Sequence, residues 1–313
     1  MTIALGVLQV VLLVIGAPLL RGIVGRLKAV LQRRQGAPIW RPYADIWKLL
    51  HKENLVPPSA SGVFGLAPLL LLVTSILVTA FIPLLVNSAL LGSAGDFILM
   101  VYLLAFGRFF LALGGIDGGS AFGGMGASRE ALVSSLAEAP LLLALVAVAI
   151  QASSASIVGM TQWALERSFF NISAVHLLAF LALSIVALAE TGRMPVDNPA
   201  THLELTMIHE GMVLEYSGPN LALIEWASAI KLSFMVGLLI ALFAPWGMAT
   251  TPSPAALGFA VVAMLAKTFA LAAALAVIES GIAKLRMYAV PDFLGVAAGI
   301  STLAVIFTAL MKR

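Results

Sequence analysis

Eight runs of about 20 apolar residues divide this chain of 313 residues, and they constrain its fold more than any other feature. The runs lie at about 3–25, 64–87, 97–115, 131–152, 174–190, 222–246, 255–279 and 291–311. A helix of this length crosses the roughly 30 Å hydrocarbon core of a bilayer. Only 11% of the residues are charged, against about a quarter in soluble proteins. The sequence therefore predicts an all-α polytopic membrane protein with about eight transmembrane helices, in which residues 1–313 form a single integral membrane domain.

Basic residues are distributed unevenly between the two sides of the predicted membrane domain. The connections after the first, third, fifth and seventh runs hold eleven Lys and Arg residues, whereas the opposite side holds three. Because Lys and Arg are enriched on the cytoplasmic side of membrane proteins, this bias places both termini on the outer side. The predicted cytoplasmic loops are, to within a few residues, 26–63, 114–130, 191–221 and 280–290.

Cysteine is absent from the sequence. This absence excludes disulfides, thiolate nucleophiles and cysteine-ligated iron–sulfur clusters from this polypeptide. The net charge of +3 does not indicate a nucleic-acid partner, because the basic residues lie where membrane topology places them. We therefore expect no cofactor and no catalytic residue in this chain, and any electron transfer must run through a partner.

Acidic residues are concentrated in the third predicted loop, beside segments that are otherwise suited to lipid. That segment carries Glu190, Asp197, Glu204, Glu210 and Glu215, and the second loop adds Asp117 and Glu130. An ionised side chain at the centre of a membrane helix costs about 2.5–3.5 kcal/mol. Because a simple anchor would avoid that cost, we expect the acidic segment to have a function.

The third loop is predicted to contain a helix that starts in its acidic segment. Asp197 or Asn198 is suited to cap this helix, which then runs to near Gly218. His202 and His209 are the candidate metal ligands within it. They lie seven residues apart, which is about 10.5 Å along a helix and too far for both to bind one metal ion. We therefore expect no metal site.

The first two loops carry weaker signals. Residues 114–130 contain seven glycines and are predicted to be irregular, with Ser128 as the N-cap of the next helix. They lack the lysine of a P-loop, which argues against nucleotide binding. In the first loop a short amphipathic helix is predicted to begin at Pro42. This helix is either an interfacial anchor or a docking surface for a soluble partner.

Several ionisable residues lie within or at the edges of the apolar runs. They are Arg108, Glu138, Glu190, Glu225, Lys231, Lys267 and Glu279. Buried charges in a membrane protein pair with one another or line water, so structural salt bridges and a proton route both remain open. Glu225 and Lys231 are six residues apart, which is not a helical neighbour spacing, so each is expected to pair across helices.

Short motifs in the three loops resemble those of one family. They are Arg34–Gly36, Ala44–Asp45 and Lys48–Leu49, then Gly126–Glu130, then Glu190, Arg193, Pro195, Asp197, Glu204 and Glu215–Gly218. On these residues the chain resembles the membrane protein shared by respiratory complex I, where it is known as NADH dehydrogenase subunit 1, and the energy-converting membrane-bound nickel–iron hydrogenases. Formate hydrogenlyase-type enzymes, with hydrogenase component C, belong to the second group. The resemblance covers nearly the whole chain.

Two features of the resemblance favour the hydrogenase branch. The first loop lacks the longer insertion of the quinone-reducing branch, and Gly115–Asp117 with Gly126–Glu130 is similar to the hydrogenase pattern. The third loop departs from both branches at Ala200–His202. Glu204 is therefore the acidic residue of that helix that the resemblance supports best.

The resemblance implies a membrane anchor and coupling subunit of a multisubunit redox complex in the plasma (cell inner) membrane. Iron–sulfur clusters, and a nickel–iron centre where the complex is a hydrogenase, would be held by partners. Those partners would be hydrogenase-like large and small subunits and antiporter-like membrane subunits, with lipid around them. Two alternatives remain open: a quinone-reducing complex I subunit, and a secondary ion transporter that works alone.

Candidate site residues follow from the charged positions and the resemblance together. Those for a proton path or coupling are Glu130, Glu138, Glu190, Asp197, Glu204, Glu215, Glu225, Lys231, Lys267 and Glu279. Those for partner docking are Arg34, Asp45, Lys48, Asp117, Arg129 and Arg193.

Overall fold

The computed structural model describes residues 2–92, 95–167, 173–197, 207–250 and 253–311. These residues form eleven α-helices, one 3-10 turn at Met287–Ala289 and no β-strand. The helices are α1 Thr2–Leu31, α2 Arg41–Leu50, α3 Gly62–Thr79, α4 Phe97–Asp117, α5 Ala121–Ala152, α6 Ile157–Leu165, α7 Ala174–Glu190, α8 His209–Val213, α9 Gly218–Phe243, α10 Pro254–Gly281 and α11 Val290–Met311. The predicted all-α fold is confirmed.

Seven of the described helices are long and apolar enough to cross a membrane: α1, α3, α4, α5, α9, α10 and α11. The eighth predicted span is α7, an apolar helix of 17 residues. The chain is thus a multi-pass membrane protein, and each predicted run corresponds to one helix. The short helix predicted in the first loop is α2, which has no buried residue.

The prediction that residues 114–130 form an irregular loop is wrong. α4 continues to Asp117 and α5 already begins at Ala121. The N-cap of α5 is Ser120, whose hydroxyl accepts from the backbone N–H of Gly123, and not Ser128, which lies inside the helix. Glycine weakens an isolated helix, but here it allows close packing, since a side chain at Gly123 would overlap the backbone of Gly115.

The helix predicted from Asp197 or Asn198 to near Gly218 is also wrong in its bounds. α8 covers only His209–Val213, and residues 198–206, including His202 and Glu204, lie outside the described residues. Gly218 has a φ of +51° and starts α9 instead of ending a helix. A left-handed backbone at this position favours glycine, and it turns the chain from the segment after α8 into α9.

α9 forms the centre of the bundle. Of its 18 most apolar consecutive residues 78% are buried, whereas the corresponding share of α10 is 11%. The largest apolar cluster surrounds the second half of α9 and includes side chains from α1, α3, α4, α5 and α7. Residues 218–231 of α9 are less uniformly apolar because they include Glu225 and Lys231, and the candidate site lies there.

Candidate functional site

A buried carboxylate at the end of α7 lies at the centre of the candidate site. The side chain of Glu190 has no exposed area, and it accepts a hydrogen bond from the Arg108 guanidinium of α4. Its second oxygen lies 3.1 Å from the Lys231 ammonium of α9. Two cations, from α4 and α9, therefore meet one buried carboxylate.

A second ion pair joins α1 to α9. Arg21 contacts Glu225, and both side chains are partly accessible. Glu225 and Lys231 thus have partners on α1 and α7, which agrees with the predicted pairing across helices. α9 therefore presents an acid to α1 and a base to α7.

A third cluster joins α10 to the acidic segment. The Glu279 carboxylate, with a side chain 1% exposed, contacts the Lys28 ammonium of α1 and lies 3.0 Å from the Arg193 guanidinium. Burial lowers the pKa of Arg193, and the nearby Glu279 carboxylate opposes that shift. Because the charges are paired, the desolvated guanidinium remains protonated near neutral pH.

Asp197 connects the acidic segment to two other elements. Its Oδ1 lies 2.7 Å from the Lys284 ammonium, and its Oδ2 accepts from the backbone N–H of His209 at 3.2 Å. The Leu285 N–H also donates to the Pro195 carbonyl at 2.9 Å. Asp197 therefore contacts the start of α8, which lies twelve residues later in the chain. It also connects the acidic segment to the residues that follow α10.

A cavity of about 330 Å³ lies among these ion pairs. Its acidic lining residues are Glu130, Glu190, Asp197, Glu210 and Glu225, and its basic ones are Arg21, Arg26, Lys28, Arg41, Arg108, Arg193 and Lys231. A cavity of this size and polarity is large enough for several water molecules. Protons can pass between carboxylates across such a hydrated space, so the arrangement suits charge-coupled proton movement.

The structure brings together most, but not all, of the predicted coupling residues. Glu130, Glu190, Asp197, Glu225 and Lys231 line the cavity, while Glu279 pairs with two of its lining cations. Three others do not line it: Glu138 is half-buried on α5, Glu215 is half-buried after α8, and Lys267 donates to the Trp246 carbonyl. Glu204 lies outside the described residues.

The predicted docking residues fall into two groups. Arg34 and Lys48 are exposed, and Asp45 pairs with Arg41 one helical turn away. The remaining three make intramolecular contacts: Asp117 accepts from the Ser61 N–H at 2.8 Å, Arg129 donates to the Met207 carbonyl at 2.8 Å, and Arg193 pairs with Glu279. Arg34 and Lys48 are thus the exposed predicted docking residues, and they define what we call the first-loop surface.

Sequence reasoning did not assign a site role to five of the cations that line the cavity: Arg21, Arg26, Lys28, Arg41 and Arg108. Arg108 was visible as a charge inside an apolar run, Lys28 was counted only as a topology signal, and Arg21 was given no role in the site. Arg21 and Lys28 are seven residues apart and lie on one face of α1. That spacing is the signal that could have indicated a shared, inward-facing role.

Together, the fold and the cavity define a membrane subunit that encloses a buried ionic network near one end of its bundle. The chain belongs to the NADH dehydrogenase family, whose family model matches residues 3–309. The family membership predicted from the loop motifs is thereby confirmed.

Relatives of known identity fall on both branches of this family. Hydrogenase-4 component C of Escherichia coli K12 is 34% identical over 96% of this chain and 93% of its own length. Formate hydrogenlyase subunit 4 of the same organism is 31% identical over 97% and 98%. An NADH-quinone oxidoreductase subunit of Syntrophobacter fumaroxidans is 33% identical over 65% and 62%.

A solved structure shares the fold. A chain of the membrane-bound sulfane sulfur reductase, an archaeal respiratory membrane complex, superposes with a TM-score of 0.83 over 98% of this chain and 100% of its own length. The two sequences are 21% identical. The arrangement of membrane helices is therefore shared with a chain of a respiratory complex.

Proposed function

We propose that this chain is the membrane anchor and coupling subunit of a hydrogenase-type redox complex in the plasma membrane. The single observation that carries the proposal is the set of cross-helix ion pairs around the cavity, centred on Glu190. Full-length similarity to subunits of hydrogenase-4 and formate hydrogenlyase supports the choice of complex.

In this proposal, partner subunits hold the redox chemistry. Hydrogenase-like large and small subunits carry iron–sulfur clusters and a nickel–iron centre, and they dock on the first-loop surface around Arg34 and Lys48. Antiporter-like membrane subunits move protons or sodium ions beside this chain. The chain itself transmits charge changes between the two and performs no redox step.

The coupling step follows from electrostatics. An electron that reaches a partner's metal centre near the acidic segment adds one negative charge there. A nearby carboxylate responds by binding a proton, and it releases the proton when the electron moves on. Because binding of the electron and of the proton each favour the other, the two sites share a coupling free energy.

The test is Glu190→Gln in the assembled complex, since glutamine keeps the side-chain volume and removes the charge. We expect ion transport per electron in inverted membrane vesicles to fall at least about fivefold, with redox turnover retained. The matched control is Glu166→Gln, whose side chain is exposed beyond α6 and accepts from Gln162 at 2.8 Å. Unchanged transport in the Glu190 variant would remove that residue from the coupling route.

A quinone-reducing subunit is the second candidate. The cavity of about 330 Å³ falls in the range of small-molecule sites, and one relative is an NADH-quinone oxidoreductase subunit. Extraction of a tightly bound quinone from the purified complex would favour this candidate. Ion transport by the purified chain alone in liposomes would favour the secondary transporter, whereas our proposal predicts none without partners.

A further inference from the structure

Pro18 removes one backbone hydrogen bond from α1. It lies inside the helix and has no backbone N–H, so the Val14 carbonyl, four residues earlier, lacks its helical donor. The Trp226 indole of α9 donates to this carbonyl at 3.1 Å. In membrane proteins a proline within a helix is tolerated where a neighbouring helix supplies the missing bond. A side chain of α9 therefore replaces a backbone bond of α1.

The next carbonyl of α1 also has a side-chain partner. The Tyr43 hydroxyl of α2 donates to the Ile15 carbonyl. Burial raises the pKa of Tyr43, and a hydrogen bond from the backbone N–H of Leu19 opposes that rise. The hydroxyl thus meets a carbonyl and an N–H that lie four residues apart on α1. Two consecutive carbonyls of α1 are therefore bound by side chains of α9 and α2.

Residues 36–43, which we call the return segment, run back along α1 and form part of the cavity wall. Arg26 donates to the Gly36 carbonyl, and Gly22 lies so close to Ile39 that an added Cβ would overlap the Ile39 carbonyl. These contacts follow α1 in the antiparallel direction towards its middle. The cavity-lining residues of the return segment are Ala37, Pro38, Arg41 and Pro42, and those of the adjoining part of α1 are Arg21, Gly22, Gly25, Arg26 and Lys28.

The indole bond lies beside a charged contact of the candidate site. Val14 and Arg21 are seven residues apart on α1, which is about two helical turns. Their partners, Trp226 and Glu225, are adjacent on α9. α1 thus meets α9 at two neighbouring points, one of which is an ion pair of the cavity. Trp226 does not itself line the cavity, so it acts on the ion pair through the position of α1.

We propose that Tyr43 and Trp226 are positioning residues for the cavity, through the two carbonyls that they bind beside Pro18. Trp226 holds the part of α1 that carries Arg21 against α9. Tyr43 holds the return segment, and with it one part of the cavity wall, against α1. This inference rests on the proposed function only for its transport measurement, because the other measurements are made on the chain alone.

The first experiment uses thermal unfolding of the full chain in detergent. Trp226→Phe leaves the Val14 carbonyl without a donor, so we expect the unfolding temperature to fall by about 2 °C or more. Pro18→Ala restores an N–H at this position, and in that background we expect Trp226→Phe to have less than about half the effect. Trp47→Phe, at a tryptophan that is 67% exposed, is the control. Equal losses from Trp226→Phe in both backgrounds would overturn the proposal.

The second experiment measures access to the cavity. The chain has no cysteine, so Ser228→Cys places a single thiol at a half-buried position that lines the cavity. Tyr43→Phe keeps the ring and removes the hydroxyl, and we expect it to raise the rate of maleimide labelling at least about threefold. Tyr288→Phe, at a tyrosine that is 93% exposed, is expected to leave the rate unchanged. The same labelling rate with and without the Tyr43 hydroxyl would overturn the proposal.

The third measurement is ion transport per electron in inverted vesicles that contain the assembled complex. We expect Tyr43→Phe and Trp226→Phe each to lower it at least about twofold with redox turnover retained, and Pro18→Ala to rescue the second variant. Loss of transport in Glu190→Gln with full transport in both positioning variants would overturn this inference and leave the proposed coupling intact. Unchanged transport in Glu190→Gln, together with the expected unfolding and labelling results, would overturn the coupling proposal alone.

Discussion

Arg193 and Glu279 lie 3.0 Å apart, and their contact joins the acidic segment after α7 to the C-terminal end of α10. Glu279 also contacts Lys28 of α1. One carboxylate therefore links three parts of the chain that are distant in sequence. A change of charge in the acidic segment therefore acts electrostatically on α10 through this contact. The opposite side of α10 is exposed.

Glu279→Gln is expected to destabilise the protein strongly. The substitution leaves the Lys28 and Arg193 cations close together in a buried site without their acid, and loss of one partner of a buried ion pair costs about 3–5 kcal/mol. Thermal unfolding of the purified chain in detergent measures the effect. Asp45→Asn is the control, because its pair with Arg41 is exposed and such pairs contribute about 0–1 kcal/mol. Equal losses in both variants would contradict the assignment.

Gly126→Ala is expected to destabilise the packing of α5 against α8. An added Cβ would lie 2.8 Å from the Met212 nitrogen and 2.9 Å from the Ile208 carbonyl oxygen. These are backbone atoms that cannot rotate away, so overpacking costs about 1–3 kcal/mol. Gly124→Ala, two residues earlier, meets no atom within 4 Å and is expected to stabilise by up to about 1 kcal/mol. Thermal unfolding that ranks the two variants in the opposite order would refute the close approach.

We expect the protein to lose stability in alkali because of Tyr216. Burial raises the pKa of its phenol, and the charge of Asp117 raises it further. Because this pKa is higher in the folded state, the contribution of the protonated phenol to stability is complete below its unfolded-state pKa of about 10. It is lost as the pH rises above that value. Tyr216→Phe is expected to flatten this alkaline decline while keeping the stacking on Phe64, where the ring centroids lie 4.0 Å apart. Unfolding measured between neutral pH and strong alkali tests this, and an unchanged slope in the variant would count against it.

Glu190 and Lys231 are expected to be energetically coupled. Glu190→Gln leaves Lys231 and Arg108 without their shared acid, whereas Lys231→Met leaves a carboxylate that still has Arg108. The double variant should therefore lose less stability than the sum of the two single variants, by about 0.5–3 kcal/mol. A double-mutant cycle by thermal unfolding gives this coupling, and strict additivity would mean that the 3.1 Å contact contributes nothing.

The helices were predictable because the apolar runs and the lipid thickness leave few alternatives. α2 was predictable from its amphipathic pattern after Pro42. The start of α5 was not, because the glycines that discourage an isolated helix are stabilised here by packing against α4 and α8. Local propensity does not contain that information.

The acidic residues of the candidate site were more predictable than its cations, of which only Arg193 and Lys231 were predicted. Carboxylates beside apolar runs are conspicuous in a sequence, and most of those predicted do line or adjoin the cavity. Their partners were not visible, since Arg21 and Glu225 are 204 residues apart and meet only because α1 and α9 are neighbours. Which cation meets which acid depends on the order of helices around the bundle, and periodicity along one chain does not encode that order.

The burial of α9 has a consequence for biogenesis. This helix fills the middle of the bundle, yet the ribosome makes it after α1, α3, α4, α5 and α7. The earlier helices must therefore stay laterally separable in the membrane until α9 leaves the translocon. During that interval Arg21 lacks the acid that α9 delivers, and Glu190, which already has Arg108 of α4, lacks its second cation, so the last central helix to be inserted completes the ion pairs of those already in place.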